Sequence, residues 1–460
     1  MALRSFRGGV HPHEYKELTE HKALEEMPLP AEIFVPMGQH LGKPANPLVK
    51  KGTYVRQGQL LAESSGFISA PVHSPVSGTV KKMVKGPVVG GTTADMMMIV
   101  PGDPAPPKEG EEADPVDTSP ILLDPYVFNT VTREQIIERV REAGVVGQGG
   151  AAFPTAVKLS PPPDKPIDWM IINAAECEPY LTRDFRLMME RTDDLVEGIL
   201  LIGRALGREG EEGDGPNLGI GVENNKPEAI AALREAIVKR AVKIEVFELK
   251  TKYPQGGEKM LIDAATGRKV PPGALPMEVG CVIQNVGTAL AVRDAVIEGQ
   301  VPRTATLTVS GKGIKEPKNL QVLIGTPLKD VIAYCGGVTD GARRVVVGGP
   351  MMGFAAYSLD APVVKATSGI LVLAGDELEE APESACINCT KCAAACPINL
   401  LPTRLAKLSR AKRWEEARDL GIEVCMECGT CAFTCPAHIP LVQYLRVGKK
   451  HVRALPRKEG

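Results

Sequence analysis

The chain has 460 residues, of which 43% are hydrophobic, so it can bury several cores, and ordinary domain sizes predict about three domains. A net charge of −2 and an aromatic content of 4% give neither a basic field nor stacking platforms, so nucleic acid is not an expected partner. The longest apolar runs, GILLIG and SGILVLAG, are far shorter than the ~20 residues of a membrane-spanning helix, and the first residues lack the apolar core of a signal peptide.

Residues 29–100 alternate short β-branched runs with glycine and proline turns, which is typical of a small β domain. The phrase VRQGQLLAESSGF…SAPVHSPVSGTV resembles the barrel-sandwich fold of biotinyl and lipoyl carrier domains. Because no lysine lies between Arg56 and Lys81, the amine that would carry lipoate or biotin is missing, and we expect a structural scaffold. Residues 101–125 are rich in proline and acidic residues, which predicts a solvated linker.

A glycine-rich loop follows a predicted helix. Thr132 and Gln135 form a capping-box pattern at the start of that helix, which leads into GVVGQGGAAFPTAVK, residues 144–158. Closely spaced glycines let backbone N–H groups approach an anion. The run lacks the Lys-Ser/Thr pair of a P-loop and does not follow a strand, so it fits neither standard phosphate-binding motif. Taken alone, the loop leaves its ligand open, and a loop that only packs is the alternative.

Beyond the loop, strands alternate with helices, which predicts a parallel sheet covered on both faces. WMIINAAECEP and NLGIGVE indicate strands, DDLVEGILLIGRALG has the apolar spacing of a helix, and Pro227 opens the next helix. Ligands of such sheets bind beyond the carboxyl ends of the strands, where the glycine loop and NAAECEP are expected to lie. Residues 303–350 predict a compact α+β module with strands around the helix LKDVIAYC and a tight turn at GGPMMG.

Eight of the eleven cysteines lie between residues 386 and 435, which indicates metal binding and not a disulfide framework. CINCTKCAAACP and CMECGTCAFTCP both follow the bacterial two-cluster ferredoxin pattern, in which the fourth cysteine of each run binds the other cluster. The first predicted [4Fe–4S] cluster is held by Cys386, Cys389, Cys392 and Cys435. The second is held by Cys425, Cys428, Cys431 and Cys396. Two structural zinc sites would leave the third and fourth cysteines of each run unexplained.

Four leucines between the two motifs, at roughly helical spacing, predict a helical spacer that fixes the motifs against each other. They are Leu401, Leu405, Leu408 and Leu420. The remaining cysteines, Cys177, Cys281 and Cys335, are scattered, and we expect buried inert thiols.

The segments GxGGAxFPT…K and N-A-x-E-x-EP, followed in order by GGEKML and IQNVGT, resemble the flavin-binding core of the NADH-binding flavoprotein subunit of respiratory complex I. This resemblance covers roughly residues 130–350 and implies non-covalent FMN, with NAD(H) as substrate. It implies that the FMN phosphate and ribityl chain contact Gly147, Gly149, Gly150 and Lys158. The flavin contacts that it implies are those of Asn173, Glu176 and Asn285. Gly257 and Glu258, in GGEKML, are implied as further cofactor-binding residues. Phe153 and Glu178 would face NADH, with the glutamate accepting ribose hydroxyls.

Three positions depart from that flavoprotein, since Gln148, Ala175 and Lys259 stand where it has Arg, Asp and Glu. The complex I flavoprotein also has a single cluster motif of a different kind. The whole order, from FRGGVHPHEYK through the paired ferredoxin motifs, resembles the C subunit of the Rnf ion-translocating electron-transport complex.

The implied fold is multidomain, α/β and α+β. The predicted domains are residues 1–125, an N-terminal segment with a lipoyl-like barrel-sandwich and acidic linker; 126–302, a Rossmann-like FMN/NAD(H) domain; 303–375, a β-grasp module; and 376–460, a helical ferredoxin-like domain with two [4Fe–4S] clusters and a basic tail.

The resemblance implies a peripheral subunit, on the cytoplasmic side of the cell membrane, of a complex that couples ferredoxin:NAD⁺ electron transfer to Na⁺ or H⁺ transport. Nicotinamide exchanges two electrons and a cluster one, so FMN stands between them. The expected partners are the other subunits of the complex, and ferredoxin indirectly through a cluster-bearing partner. No catalytic acid, base or nucleophile is predicted. The alternatives are a soluble flavin/iron–sulfur reductase, such as a cobalamin reductase, and a non-enzymatic electron-wire adaptor.

Overall fold

The computed structural model describes residues 3–104, 117–208, 215–378 and 381–456. Within these ranges, no helix is both long enough and apolar enough to cross a membrane. Most of the predicted acidic linker, residues 105–116, and the last four residues of the basic tail lie outside the described residues.

Two small antiparallel sheets form the barrel-sandwich domain, which confirms the predicted β domain. A short strand of the N-terminal segment, β1 (Leu24–Glu26), comes first in the chain. The strands of the barrel-sandwich are β2 (Ile33–Pro36), β3 (Asn46–Pro47), β4 (Tyr54–Val55), β5 (Leu60–Glu63), β6 (Val72–His73), β7 (Gly78–Val88) and β8 (Thr92–Pro101). The sheet orders are β2-β8-β7-β4 and β3-β5-β6. Side chains from both sheets, among them Val35, Leu61 and Ile99, share one fully buried core.

A parallel sheet with strand order β11-β10-β9-β12 forms the next domain, as predicted for a Rossmann-like fold. Its elements are α1 (Arg133–Glu142), α2 (Thr155–Lys158), β9 (Trp169–Ala174), α3 (Arg183–Glu190), α4 (Thr192–Ala205), β10 (Asn217–Glu223), α5 (Pro227–Lys239), β11 (Glu245–Leu249), α6 (Glu258–Thr266), β12 (Cys281–Asn285) and α7 (Val286–Ile297). Thr132 and Gln135 form the predicted capping box of α1. From β9 the chain continues to β10 and β11 on one side, and β12 lies on the other side. Because the strand order reverses at β9, a crevice opens beyond the carboxyl ends of β9 and β12.

A mixed six-stranded sheet of order β1-β14-β13-β17-β15-β16 forms the β-grasp module. Its remaining elements are β13 (Thr304–Ser310), β14 (Lys318–Leu323), α8 (Leu328–Tyr334), β15 (Ala342–Val347), β16 (Phe354–Ala355) and β17 (Gly369–Ala374). The predicted helix LKDVIAYC is α8, and its apolar face lies in the core of the module. Because β1 pairs with β14, the N-terminal segment contributes to this sheet and not to the barrel-sandwich.

The cysteine-rich domain is helical and internally repeated. Its helices are α9 (Lys391–Ala395), α10 (Pro402–Arg410), α11 (Trp414–Asp419), α12 (Thr430–Phe433) and α13 (Leu441–Ala454). Residues 39 positions apart adopt the same left-handed backbone conformation, as in the pairs Asn388 with Glu427 and Asn399 with His438. The two motifs are therefore folded as two copies of one unit.

The helical spacer between the motifs differs in part from its prediction. It consists of two helices, α10 and α11, because the chain turns at Lys412, whose φ is +56°. Leu405 and Leu408 are buried as expected, whereas Leu401 and Leu420 are 53% and 38% exposed. The predicted stripe of four leucines was therefore wrong at its two ends, since these residues lie outside the helices.

The N-terminal segment runs from the parallel sheet to the cysteine-rich domain. The amide of Val10 donates to the Tyr253 carbonyl at 2.8 Å, and the amide of Gly9 donates to the Ala395 carbonyl at 2.8 Å. Gly9 has a φ of +78°, and a Cβ there would lie 2.5 Å from the Tyr253 carbonyl oxygen. The glycine pair of FRGGVHP therefore lets the segment pass between the two domains.

Lys365 joins three domains through hydrogen bonds. Its buried Nζ donates to the carbonyls of Pro71, in the barrel-sandwich, at 2.9 Å and of Gly144, where the glycine loop begins, at 2.7 Å. Its amide donates to the side chain of Gln39 at 3.2 Å. Burial lowers the pKa of Lys365 to about 7. Below that pH the folded protein holds an ammonium in a site with little water to solvate it.

We expect the stability difference between wild type and Lys365→Met to depend on pH. Above about pH 7 the folded chain has released a proton that the unfolded chain keeps up to about pH 10, so wild type gains about 1.4 kcal/mol per pH unit over the variant in that window. Thermal unfolding of both proteins across this range measures the gap. The control is Lys329→Met, which removes an exposed ammonium paired with Asp360. A gap for Lys365→Met that stays constant above neutral pH would contradict the prediction.

Candidate flavin and cluster site

Asn173 and Asn285 stand side by side at the ends of β9 and β12, because the register of the two strands pairs them. The Asn173 amide donates to the Gly256 carbonyl at 2.7 Å. Asn285 caps α7 by accepting from the Gly287 amide at 2.9 Å. A Cβ at Gly149 would lie 2.9 Å from the Asn285 side-chain nitrogen, so the glycine permits the close approach of the loop. The structure thus brings all four sequence segments to one end of the sheet.

The glycine loop is a short hairpin whose tip is open to solvent. Val146 pairs with Pro154 at its base, and the Gly147 amide donates to the Phe153 carbonyl at 2.9 Å. Gly149 and Gly150 are exposed, and a Cβ on Gly150 would meet no described atom within 4 Å. The tip therefore has room for a ligand beside it.

Buried polar groups hold the loop from below. The buried guanidinium of Arg183 donates to the Gln148 carbonyl and, at 2.9 Å, to the Thr306 carbonyl of the β-grasp module. The Gln148 amide donates to the Thr288 hydroxyl at 2.9 Å. Sequence reasoning did not select Arg183, because one arginine at the start of an amphipathic helix carries no signal of such a role.

Lys158 and Glu258, both predicted flavin-site residues, are in direct contact. The Lys158 ammonium donates to the Glu258 carboxylate at 2.7 Å and to the Ile283 carbonyl at 2.8 Å. An ammonium has three N–H donors, so one remains for an anionic group. Both side chains are about one-third exposed, and a phosphate has access to the pair from solvent.

The carboxylates of Glu176 and Glu178 are engaged by backbone amides. Glu176 accepts from the amides of Asp184 at 2.6 Å and Phe185 at 3.2 Å, and so caps α3. Glu178 accepts from the amides of Met351 and Met352, both at 3.0 Å, in the predicted GGPMMG turn. Burial raises the pKa of each carboxyl to about 7, although these amide bonds oppose the shift. The ligand contacts implied for Glu176 and Glu178 remain predictions.

The second cysteine motif lies directly against the flavin-site segments. The Tyr253 hydroxyl donates to the Cys428 carbonyl at 2.9 Å. A Cβ at Gly257 would lie 2.8 Å from the methyl group of Met426. Cys177 accepts from the Gly256 amide at 3.2 Å, and burial raises the pKa of its thiol, so it stays protonated. Sequence reasoning missed Tyr253, although it stands shortly before GGEKML.

A cavity of about 200 Å³ fits the first predicted cluster. It is lined by Cys386, Cys389, Cys392 and Cys435, and thus by three cysteines of the first motif and the fourth of the second. In the described residues, no group of three or more His, Cys, Asp or Glu side chains is arranged so that it could hold a single metal ion. The four cysteines line one cavity, as the ligands of a [4Fe–4S] cluster would.

The second predicted cluster likewise combines three cysteines of one motif with the fourth cysteine of the other. Cys396, from the first motif, lies close enough to interact electrostatically with Cys428 and Cys431 of the second. Backbone amides donate to the sulfurs of Cys425, at 3.4 Å, and Cys396, at 3.3 Å. Such bonds favour thiolate ligands and tune the potential of a cluster. The exchange of fourth cysteines between the two clusters stays a prediction.

Four protein families match consecutive parts of the chain. They are described as the RnfC barrel sandwich hybrid domain (residues 4–103), the Nuo51 FMN-binding domain (140–294), the SLBB domain (306–355) and the 4Fe-4S dicluster domain (385–439).

Two relatives match over nearly their whole length. The C subunit of the proton-translocating ferredoxin:NAD(+) oxidoreductase complex of Clostridium ljungdahlii is 44% identical, covering 99% of this chain and 96% of its own. The C subunit of the Na(+)-translocating ferredoxin:NAD(+) oxidoreductase complex of Acetobacterium woodii is 42% identical, with coverages of 99% and 98%. The chain belongs to the RnfC family.

This RnfC protein is therefore part of an electron-transferring oxidoreductase complex, and its cofactors are FMN and [4Fe–4S] clusters. The family assignment favours the ion-translocating complex over the soluble reductase and the adaptor. A chain of the NAD+-reducing [NiFe]-hydrogenase, in its air-oxidized state, aligns with a TM-score of 0.48 at 20% identity, covering 70% of this chain and 66% of that chain.

Proposed function

We propose that this chain passes electrons between NAD(H) and its two clusters through FMN, as a peripheral subunit on the cytoplasmic side of a membrane complex. Within that complex, ferredoxin:NAD⁺ electron transfer would drive Na⁺ or H⁺ transport. The hydrogen bond from Tyr253 to the Cys428 carbonyl carries this proposal, because it joins the flavin-site segments to a cluster-ligand motif. No separate carrier is then required between the two sites.

The residues at the carboxyl ends of β9 and β12 would hold FMN. Lys158 and the exposed glycines Gly149 and Gly150 would bind its phosphate, and Asn173 and Asn285 would bind the ring system. When bound, FMN accepts two electrons as a hydride and returns electrons singly. Phe153, which is partly exposed at the end of the glycine loop, would contact NADH.

Glu178 has a defined candidate role at this site. Its carboxylate is tied to the amides of Met351 and Met352, so a ribose hydroxyl would compete with these bonds or join them. It also lies 3.4 Å from the hydroxyl of Tyr253, the residue that contacts the second cysteine motif.

The two cysteine sets would act in a fixed order. The set of Cys396, Cys425, Cys428 and Cys431 adjoins the flavin segments through Tyr253. The other set opens to the surface, since Cys389 is exposed and the rim residues Ile387 and Leu401 are 68% and 53% exposed. We therefore assign the outer set to electron exchange with another subunit, through which ferredoxin would be reached indirectly.

Anaerobic reconstitution of the full chain with iron, sulfide and FMN tests the proposal. After NADH is added, the flavin absorbance should bleach and the visible absorbance of the clusters should then decrease. A protein that binds FMN and full iron but shows no bleaching with NADH would contradict the nicotinamide entry site. A protein that binds iron and no FMN would contradict the flavin assignments.

A further inference from the structure

Two buried lysines hold the backbone of the loop that follows β9. The Lys16 ammonium, from the N-terminal segment, donates to the carbonyls of Glu176 at 2.9 Å, Glu178 at 3.1 Å and Leu181 at 2.6 Å. Lys16 is only 6% exposed. Three acceptors match the three donors of a protonated ammonium, whereas a neutral amine has only two. Lys16 therefore holds both ends of the loop with one amino group.

Lys226, at the start of α5, binds the same loop at the carbonyl of Ala175, one residue before the first carbonyl that Lys16 binds. It is 3% exposed, and it donates to the Ala175 carbonyl at 2.8 Å and to the Asn225 side chain at 3.0 Å. The carboxylate of Glu223, also buried, lies 3.7 Å away. Consecutive peptide carbonyls, those of Ala175 and Glu176, are thus drawn toward two lysines from different parts of the chain.

The direction of these carbonyls determines where the loop amides point. In a planar trans peptide the N–H points opposite to the carbonyl of the same peptide group. The amides of Glu176 and Cys177 therefore point away from Lys226 and Lys16. The preceding amide, that of Ala175, donates to Asn173 in the predicted flavin site at 3.4 Å. The Cys177 thiol accepts from the amide of Gly256, whose carbonyl accepts from the Asn173 side chain.

We propose that Lys16 and Lys226 are positioning residues of the flavin site. By binding the loop carbonyls, they turn the Glu176 and Cys177 amides toward the ring system of bound FMN, where the amides donate to its polar atoms. The inference rests on the proposed function, because it needs FMN in the crevice. It also makes the N-terminal segment part of the flavin site, since Tyr15 stacks on Tyr180 of the same loop at 4.6 Å.

The test compares Lys16→Met and Lys226→Met with wild type in the full chain. We measure FMN affinity by titration and the midpoint potential of the bound flavin. Misdirecting these two amides would cost bound FMN up to two hydrogen bonds, so we expect affinity to fall by ~10–100-fold and the flavin potential to shift. The matched control is Lys22→Met, which removes one exposed hydrogen bond from the same segment to the Pro317 carbonyl. It should leave both quantities unchanged.

Iron content and circular dichroism distinguish positioning from a purely structural role. Because the methionine variants leave buried carbonyls unpaired, Lys16→Gln, which keeps two donors, is a milder variant. We expect folded, iron-loaded variants with weakened FMN binding, and Lys16→Gln between wild type and Lys16→Met. Wild-type affinity and potential in folded variants would overturn the inference and leave the proposed function standing. Loss of fold and iron in all three variants would also overturn it, in favour of a structural role. If wild type itself binds no FMN, the proposed function fails first.

Discussion

Replacing Cys396 with alanine is expected to remove the inner cluster, predicted beside Tyr253, and to leave in place the outer cluster, predicted in the cavity that Cys389 lines. Cys396 lies in the first motif, yet its side chain interacts electrostatically with Cys428 and Cys431 of the second. The variant should lose half of the iron and keep the flavin, which NADH still bleaches. Reduction of the remaining cluster by NADH should slow by more than ~10-fold, because the ligand set beside Tyr253 is incomplete. Iron analysis and anaerobic spectra after NADH addition measure both effects.

Cys435→Ala is the matched variant, because Cys435 occupies the same place in the other motif. It lines the cavity with Cys386, Cys389 and Cys392, so its loss should remove the outer cluster. The iron content should again fall by half, but the remaining cluster should be reduced by NADH as in wild type. If Cys396→Ala permits fast cluster reduction and Cys435→Ala blocks it, the proposed order of the clusters is reversed.

Much of the fold and the grouping of the cysteines could be predicted because the signals are local. The capping box at Thr132 and the proline that opens α5 lie within one turn of the structure that they specify. The fourth-cysteine exchange is encoded in the spacing of each motif, and the structure brings Cys435 to the first motif as expected. Asn173 and Asn285 lie near the ends of hydrophobic strands, and parallel pairing places them together.

The contacts between domains could not be predicted, because they join residues 160 to 294 positions apart. Lys16 bonds to carbonyls beyond residue 175, and Lys365 bonds to Pro71 and Gly144. In the sequence, each is one lysine among many lysines and arginines. Their acceptors are backbone carbonyls, which every residue has, so the residue types do not indicate these bonds. The leucine spacer failed for a related reason, since helical spacing does not reveal a turn at a residue such as Lys412.

Replacing Lys158 with methionine is expected to weaken FMN binding by ~10–100-fold. A hydrogen bond to a charged group contributes ~1.5–3 kcal/mol, and each ~1.4 kcal/mol is tenfold in the dissociation constant. In the wild type the Glu258 carboxylate lies 2.7 Å from the Lys158 ammonium, so the substitution leaves this carboxylate without its cation. A carboxylate without its partner repels a phosphate, so the loss should reach the upper part of this range at low salt. Titration of the full chain with FMN measures it.

Lys165→Met is the control for this prediction, because Lys165 forms an ion pair of the same length, 2.7 Å, with Glu278 in the same domain. Its removal should change the stability slightly and FMN affinity by less than ~2-fold, since exposed pairs contribute ~0–1 kcal/mol. Riboflavin separates the two parts of the Lys158 effect, because it has the ring system without the phosphate. Lys158→Met should bind riboflavin as wild type does. Equal losses for FMN and riboflavin would show that Lys158 supports the ring site, and the phosphate would then belong elsewhere along the glycine loop.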